Sequence, residues 1–258
     1  MGLAGKLEAD VAEPEILLSR GRYRARLAAG EADVAAAQSL RTLCFRTGGM
    51  DSDPYDSLCS HVLVEEKAGG TLVCCFRLLL LESGGQLAQS YAAQFYDLSP
   101  LRAFEGRMAE LGRFCIRPEC QDPDILRIAW GAMTGLVDGQ GVQMLFGCSS
   151  FAGISAAPYQ DVFALLRQRH LAPVEWRPGV KAPEVVRYAA ALPQEPDAKK
   201  ALQGMPPLLR TYLAMGGWVS DHAVVDRQMN TLHVFTGLET GAIPEARKRL
   251  LRAVAGGA

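Results

Sequence analysis

Glu110 and Arg113 stand three residues apart in Glu110-Leu111-Gly112-Arg113-Phe114-Cys115-Ile116, an otherwise apolar run with the composition of a strand. Burying charge in such a run costs several kcal/mol unless each group has a partner or a ligand. The segment is therefore either braced by an ion-pair network or part of an active site, and its composition alone fits both. Residues three apart on an extended strand point to opposite faces, so a direct Glu110–Arg113 pair requires a bulge. Gly112 is the residue suited to form it. A bulge there also frees backbone N–H groups that can hold an oxyanion.

A second constellation is Asp51-Ser52-Asp53-Pro54-Tyr55-Asp56, preceded by Arg41, Phe45 and Arg46. Three carboxylates in six residues suggest a calcium loop, but its sixth position is Asp56 rather than Gly and its twelfth is Val62 rather than Glu. Two readings remain: a polar surface turn, or an anionic pocket for a cationic amine. The second gains if Arg77, isolated in the apolar run Leu72–Leu81, reaches the same pocket. Other signals fail. Gly147-Cys148-Ser149-Ser150 does not match a nucleophile elbow, and His170 at a helix end reads as a cap. His222 and His233 lack metal-ligand spacing, and no phosphate-binding glycine loop is present. No metal site is expected.

These residues need elements to position them. Ile16–Leu18 and Tyr23–Leu27 read as a strand pair turning at Arg20-Gly21, and Glu31–Arg46 has helical spacing. His61–Glu66 and Thr71–Leu81 form a hairpin around Lys67–Gly70, and the charged strand spans Arg107–Ile116. Helices follow over Ile125–Gly139 and from Ser155 to His170, separated by a short strand Val142–Phe146. A short helix Leu208–Met215 and an antiparallel tail Trp218–Leu238 close the chain before a basic helix, Pro244–Val254. The order predicts a mixed α/β sheet with helices on both faces. Prolines at 178, 183, 193 and 196 suggest a core over 15–193 and an extension over 194–258 packed on it.

The bulk properties bound the partners. A formal charge of −1 over 258 residues gives no global case for nucleic acid, and 49% apolar with 21% charged residues is ordinary for a globular chain. Basic residues cluster at Arg20, Arg22, Arg24 and Arg26 and at Arg247, Lys248, Arg249 and Arg252. Such patches suit an acidic protein or an anionic membrane surface, or are simply a solvated face. Seven cysteines without paired spacing indicate a reducing compartment. No signal-peptide-like run opens the chain and no stretch approaches the ~18–20 apolar residues of a membrane span. A cytoplasmic protein, with peripheral contact at the inner membrane face through its basic helix, is the expectation.

Phe45-Arg46, Asp51-x-Asp53-x-Tyr55-Asp56, His61 on a strand, Arg77, and Glu110-Leu111-x-Arg113-Phe114 occur in an order that resembles the acyl-homoserine-lactone synthase branch of the GNAT-like acetyltransferases. They resemble more closely still the related L-ornithine Nα-acyltransferases. Leu145–Phe151, the helix ending His170-Leu171-Ala172-Pro173, Pro206–Leu209, Gly217-Trp218-Val219 and Ala223–Asp226 extend the similarity over about residues 20 to 240.

The resemblance implies a GNAT-like α+β fold with a mostly antiparallel sheet. It also implies transfer of a 3-hydroxyacyl chain from acyl carrier protein to the α-amine of L-ornithine, giving lyso-ornithine lipid. The donor is the carrier's phosphopantetheine thioester, with no permanently bound cofactor. Glu110 then takes the amine proton through water, and amides around Gly112, Arg113 and Phe114 hold the oxyanion. Asp51, Asp53 and Asp56, beside Phe45 and Arg46, recognise the cationic amino acid, while Arg77 or Arg113 meets its carboxylate or braces the pocket. Leu145, Phe146, Cys148 and Phe151 wall an acyl tunnel, and the arginine patches dock the acidic carrier.

Two departures matter. Gly112 stands where these families usually carry Ser. Arg117–Asp124 lacks the glycine-rich pattern that cradles coenzyme A, a loss less serious for a carrier-protein donor. Competing readings are a lactone-signal synthase using S-adenosylmethionine, another amine acyltransferase, and a non-catalytic carrier-protein or lipid-binding module.

Overall fold

The computed structural model describes residues 14–45, 48–190 and 195–255. Its strands are β1 (Ile16–Arg20), β2 (Tyr23–Leu27), β3 (Ser60–Glu66), β4 (Leu72–Leu81), β5 (Tyr96–Asp97), β6 (Met108–Ile116), β7 (Met144–Ala152), β8 (Gly179–Val180), β9 (Val185–Val186), β10 (Trp218–Asp226) and β11 (Thr231–Glu239). Nine of them form one sheet in the order β1-β2-β3-β4-β6-β7-β11-β10-β9, and β5 pairs with β8 apart from it. Every pairing in the large sheet is antiparallel except β6 with β7. The helices are α1 (Glu31–Phe45), α2 (Pro123–Gly139), α3 (Gln160–Arg169), α4 (Ala198–Gly204), α5 (Pro207–Ala214) and α6 (Glu245–Ala255).

Alternation along the central strands builds a two-sided core, as period-two geometry requires. Leu63, Cys75 and Cys115 pack against Ala37 and Leu40 of α1 on one face. Val62, Val64, Phe76 and Leu78 pack against Ile125, Ile128, Ala129 and Met133 of α2 on the other. α2 begins where Asp122 accepts a hydrogen bond from the Asp124 amide with Pro123 at the first helical position, an arrangement that satisfies one orphan donor and fixes φ.

The expected extension over 194–258 is not an appendage. β10 and β11 lie C-terminal to that boundary, yet β11 pairs with β7 over its full length from Thr231↔Ala152 to Glu239↔Met144. One sheet therefore draws strands from both sides of that boundary. The strand expected at Val142–Phe146 is correspondingly longer, running to Ala152 and absorbing Gly147–Phe151. The helix expected from Ser155 opens as a short 3-10 turn, Ala157–Tyr159, before α3. No helix among the described residues is long and apolar enough to cross a membrane.

The β6–β7 pair is where the sheet opens. Pairing runs from Met108↔Met144 to Leu111↔Gly147 and stops, although β6 continues to Ile116 and β7 to Ala152. The strands touch most closely at the last pair, where a Cβ on Gly147 would lie 2.4 Å from the Leu111 carbonyl oxygen. Beyond it β6 carries a bulge. Cys75↔Cys115 and Arg77↔Gly112 are register partners, so Arg113 and Phe114 together face the single residue Phe76. The residue in the left-handed region is Arg113, with φ 52°, rather than the expected Gly112. A non-glycine residue in that region is held there by its contacts.

Candidate active site

Between the parting strands lies a cavity of about 360 Å³. It passes through the sheet. Glu110, Arg77 and Arg113 line it on the α1 side, while Leu111, Phe114, Leu126 and Leu208, which pack with the α2 core, line it on the other. The bulge brings Glu110 and Arg113 to the same space despite their odd spacing.

Glu110 is buried, and its carboxylate accepts hydrogen bonds of 2.7 Å from the amides of both Tyr91 and Ala92. Two amide donors favour the charged form, but burial outweighs them and pushes the pKa up to about 7. A carboxyl poised there can exchange a proton near neutral pH.

The acidic loop is arranged differently from the expected open anionic pocket. Arg41 of α1, 1% exposed, donates from Nε and Nη2 to Asp51 Oδ1 at 3.0 and 2.7 Å and from Nη1 to Asp56 Oδ1 at 2.7 Å. Arg77 bonds both oxygens of Asp53, at 2.6 and 2.8 Å, and Asp56 Oδ1 at 2.5 Å. Arg113 completes the set, with Nε to Asp51 at 3.1 Å and Nη2 to Asp53 at 3.0 Å. Three carboxylates and three guanidiniums thus neutralise one another in a buried lattice. His61, neutral in its buried site because desolvation lowers its pKa, bonds the Asp56 carbonyl at 2.9 Å. Asp51, Asp53 and Asp56 therefore hold Arg77 and Arg113 in place and do not themselves line the cavity. Arg113 also lies 4.9 Å over the Tyr91 ring, and neither carboxylate engages its Nη1.

The remaining expected residues divide. Phe45, Gly112, Phe114 and Cys148 line the cavity. Arg46 lies outside the described residues. Leu145, Phe146 and Phe151 do not line it: Leu145 packs in the α2 core, Phe146 stacks on Phe235 at 5.6 Å, and Phe151 packs on Tyr159 and Phe163. Leu145 and Phe146 lie in the stretch where β7 is still paired with β6, before the strands part and the cavity opens. Tyr91, Asp226, His233 and the α5 start Pro206–Leu209 line the cavity without having been expected there. For Asp226 the available sequence signals were a carboxylate at the end of the apolar run Ala223–Val225 and the place of that run in the family resemblance. The arginine stripe of β1 and β2 is largely spent as well, since Arg24 and Arg26 meet Glu65, Arg26 also meets Asp33, and Arg22 meets Glu66 and Asp122.

Residues 37–131 match the acetyltransferase (GNAT) domain family model. The chain is 32% identical over 243 residues to the L-ornithine N(alpha)-acyltransferase of Rhodobacter capsulatus, a match covering 88% of this chain and 93% of that one. This chain belongs to the L-ornithine Nα-acyltransferase family. A second member, from Brucella abortus, is 30% identical over 242 residues, with 85% of each chain covered. Among solved structures, the N-acyl amino acid synthase FeeM from uncultured soil microbes aligns with a TM-score of 0.47 at 9% identity over 85% of this chain and 92% of that one. The fold is GNAT-like, with a mostly antiparallel central sheet, and the protein is an acyltransferase. In this member of the family the parting of β6 from β7 and the Arg41–Arg77–Arg113 lattice are the features that shape the site.

Proposed function

We propose that the protein transfers a 3-hydroxyacyl chain from the phosphopantetheine thioester of acyl carrier protein to the α-amine of L-ornithine, giving lyso-ornithine lipid. The observation that carries this reading is Glu110, a buried carboxyl pushed up to about 7 on the wall of a slot between two parting strands. Glu110 takes a proton from the α-ammonium, directly or through one water, and the freed amine nitrogen attacks the thioester carbon. A C–N bond forms, the carbonyl oxygen becomes an oxyanion, and the C–S bond breaks as the carbonyl re-forms. The thiolate leaves on the phosphopantetheine arm and takes up the proton that the attacking nitrogen sheds, so the products are an amide and a thiol.

Beyond Leu111 the peptide groups of Gly112–Phe114 have no β7 partner, which supports their use as oxyanion donors. Arg113 Nη1 is available to a substrate carboxylate. The apolar α2 side of the cavity suits the acyl chain. The absence of a glycine-rich nest in Arg117–Asp124 favours a carrier protein over coenzyme A. Mass spectrometry of a mixture of ornithine and 3-hydroxyacyl carrier protein with the enzyme tests the proposal. Ornithine acylated at its α-nitrogen is expected, and unmodified ornithine beside a chemically competent donor would overturn it.

A further inference from the structure

Among the polar groups that line the cavity and that the acyl transfer just described leaves without a task are His233 and Asp226. His233 on β11 is 2% exposed. The Tyr96 hydroxyl donates to the His233 carbonyl oxygen at 2.8 Å and lies 3.1 Å from its Nδ1. A hydroxyl has one proton, and the shorter contact to the carbonyl uses it, so Nδ1–H must be the donor to Tyr96 Oη. Nε2 is then a bare acceptor, and it has no hydrogen-bond partner among the described residues. Burial pushes the imidazole pKa down to about 4, against the opposing pull of the Asp226 charge. The ring is neutral at physiological pH and presents a lone pair to a cation.

Asp226, at the end of β10, is 8% exposed and accepts a hydrogen bond at Oδ1 from the Met229 amide at 3.0 Å. It is the register partner of Thr231, two residues before His233 on the same face. Diagonal neighbours of this kind lie about 7–8 Å apart at most, which lets one small cation touch both side chains. The carboxylates of the acidic loop do not serve instead, because they pair with three arginines and do not line the cavity. An amino acid entering the cavity with its α-amine toward Glu110 and its carboxylate toward Arg113 sends its side chain along the remaining wall.

We infer that Asp226 and His233 Nε2 together bind the side-chain ammonium of a dibasic amino acid, and so set which amino acid is acylated. Asp226 supplies the charge, and His233 supplies a directional acceptor that costs nothing in like-charge repulsion. The inference rests on the proposal that the acceptor is an amino acid of the ornithine type. It goes beyond it in naming the groups that read the distal amine.

The test compares ornithine with norvaline, which has the same carbon chain and no side-chain amine, on the full-length enzyme with one acyl donor. The wild type is expected to prefer ornithine in kcat/KM. Asp226→Asn and His233→Leu should each lower kcat/KM for ornithine roughly ten- to a hundredfold, mainly through KM, as befits a lost charge-assisted hydrogen bond. Norvaline should fall much less, so the preference collapses. His233→Gln, which keeps an acceptor oxygen, should retain part of it. Thermal melts confirm folding, and if His233→Leu does not fold, Asp226→Asn and His233→Gln carry the comparison. A folded Asp226→Asn variant that keeps the wild-type preference, or loses both substrates in proportion, overturns the inference alone. A wild type that acylates neither amino acid overturns the proposed function as well.

Discussion

Glu110 shows how two opposing forces leave a usable base. Its two amide hydrogen bonds stabilise the carboxylate, burial destabilises it, and burial prevails. If the base form is the active one, kcat/KM for acyl transfer rises with pH through about 7 and then levels. Glu110→Gln should cost roughly 10²–10⁴ in rate and abolish that limb. Full activity in a folded Glu110→Gln protein would remove the residue from the chemistry. Because its folded pKa is raised, Glu110 supports the fold most at low pH and withdraws that support as pH rises through about 7. The neighbouring lattice has the opposite sign. Arginine contacts hold Asp53 and Asp56 below the usual carboxylate range against the cost of burial. The stability they confer is present above the unfolded carboxylate pKa and disappears as pH falls below about 4. Arg41→Leu, which strips partners from two buried aspartates, should cost about 3–5 kcal/mol in urea unfolding at neutral pH and flatten the acid limb. An unfolding midpoint within error of wild type would show that the lattice is dispensable.

At the scale of elements, the site exists because β6 and β7 pair for four residues and then part. Gly147 sets how close that last pair comes, with backbone rather than a flexible side chain opposite it. Gly147→Ala should push the strands apart, destabilising the protein by about 1–3 kcal/mol, with a change in KM for the acyl donor that titration of acyl chain length would reveal. Unchanged stability would mean the contact is looser than described. Much of this architecture is legible in the chain. Apolar runs bounded by turn residues identify β3, β4, β6 and the β10–β11 hairpin, and Asp122-Pro123 marks the start of α2. The odd spacing of Glu110 and Arg113 demands the bulge. Its exact residue is not legible, because Arg113 occupies a left-handed conformation that local preference would assign to Gly112 and that contacts with Asp51, Asp53 and Tyr91, distant in sequence, hold in place. The role of the acidic loop is equally hidden. Arg41 reads as one more residue on a helix, and its pairing with Asp51 and Asp56 depends on how α1 lies across the sheet. The run Leu145–Phe151 places Cys148 in the cavity because Cys148 follows the last β6–β7 pair, whereas Leu145 lies within the paired stretch.

At the scale of the whole molecule, the proposed acidic carrier protein requires a surface of unpaired positive charge. The stripe from Arg22 to Arg26 offers little, since four carboxylates already face it. The α6 helix differs. Lys248 and Arg252 are paired with Glu245 and Asp138, but Arg247 and Arg249 have no carboxylate partner among the described residues. Arg20 joins them, reaching the Ala253 carbonyl at 3.2 Å. α6 packs on α2 through Leu251, so these charges sit on a braced surface rather than on a loose tail. Exposed charges of this kind add little to static affinity but steer encounter, and salt screens them. Raising ionic strength from about 0.01 M to about 0.15 M shortens the screening length from about 30 Å to about 8 Å. KM for the acyl carrier protein should therefore rise several-fold over that range, with KM for the amino acid changing far less. Charge reversal at Arg247→Glu and Arg249→Glu should raise the carrier KM at low salt and flatten its salt dependence, leaving the melting temperature near that of wild type. A carrier KM indifferent to salt, or reversed variants with an unaltered salt slope, would place the docking surface away from α6.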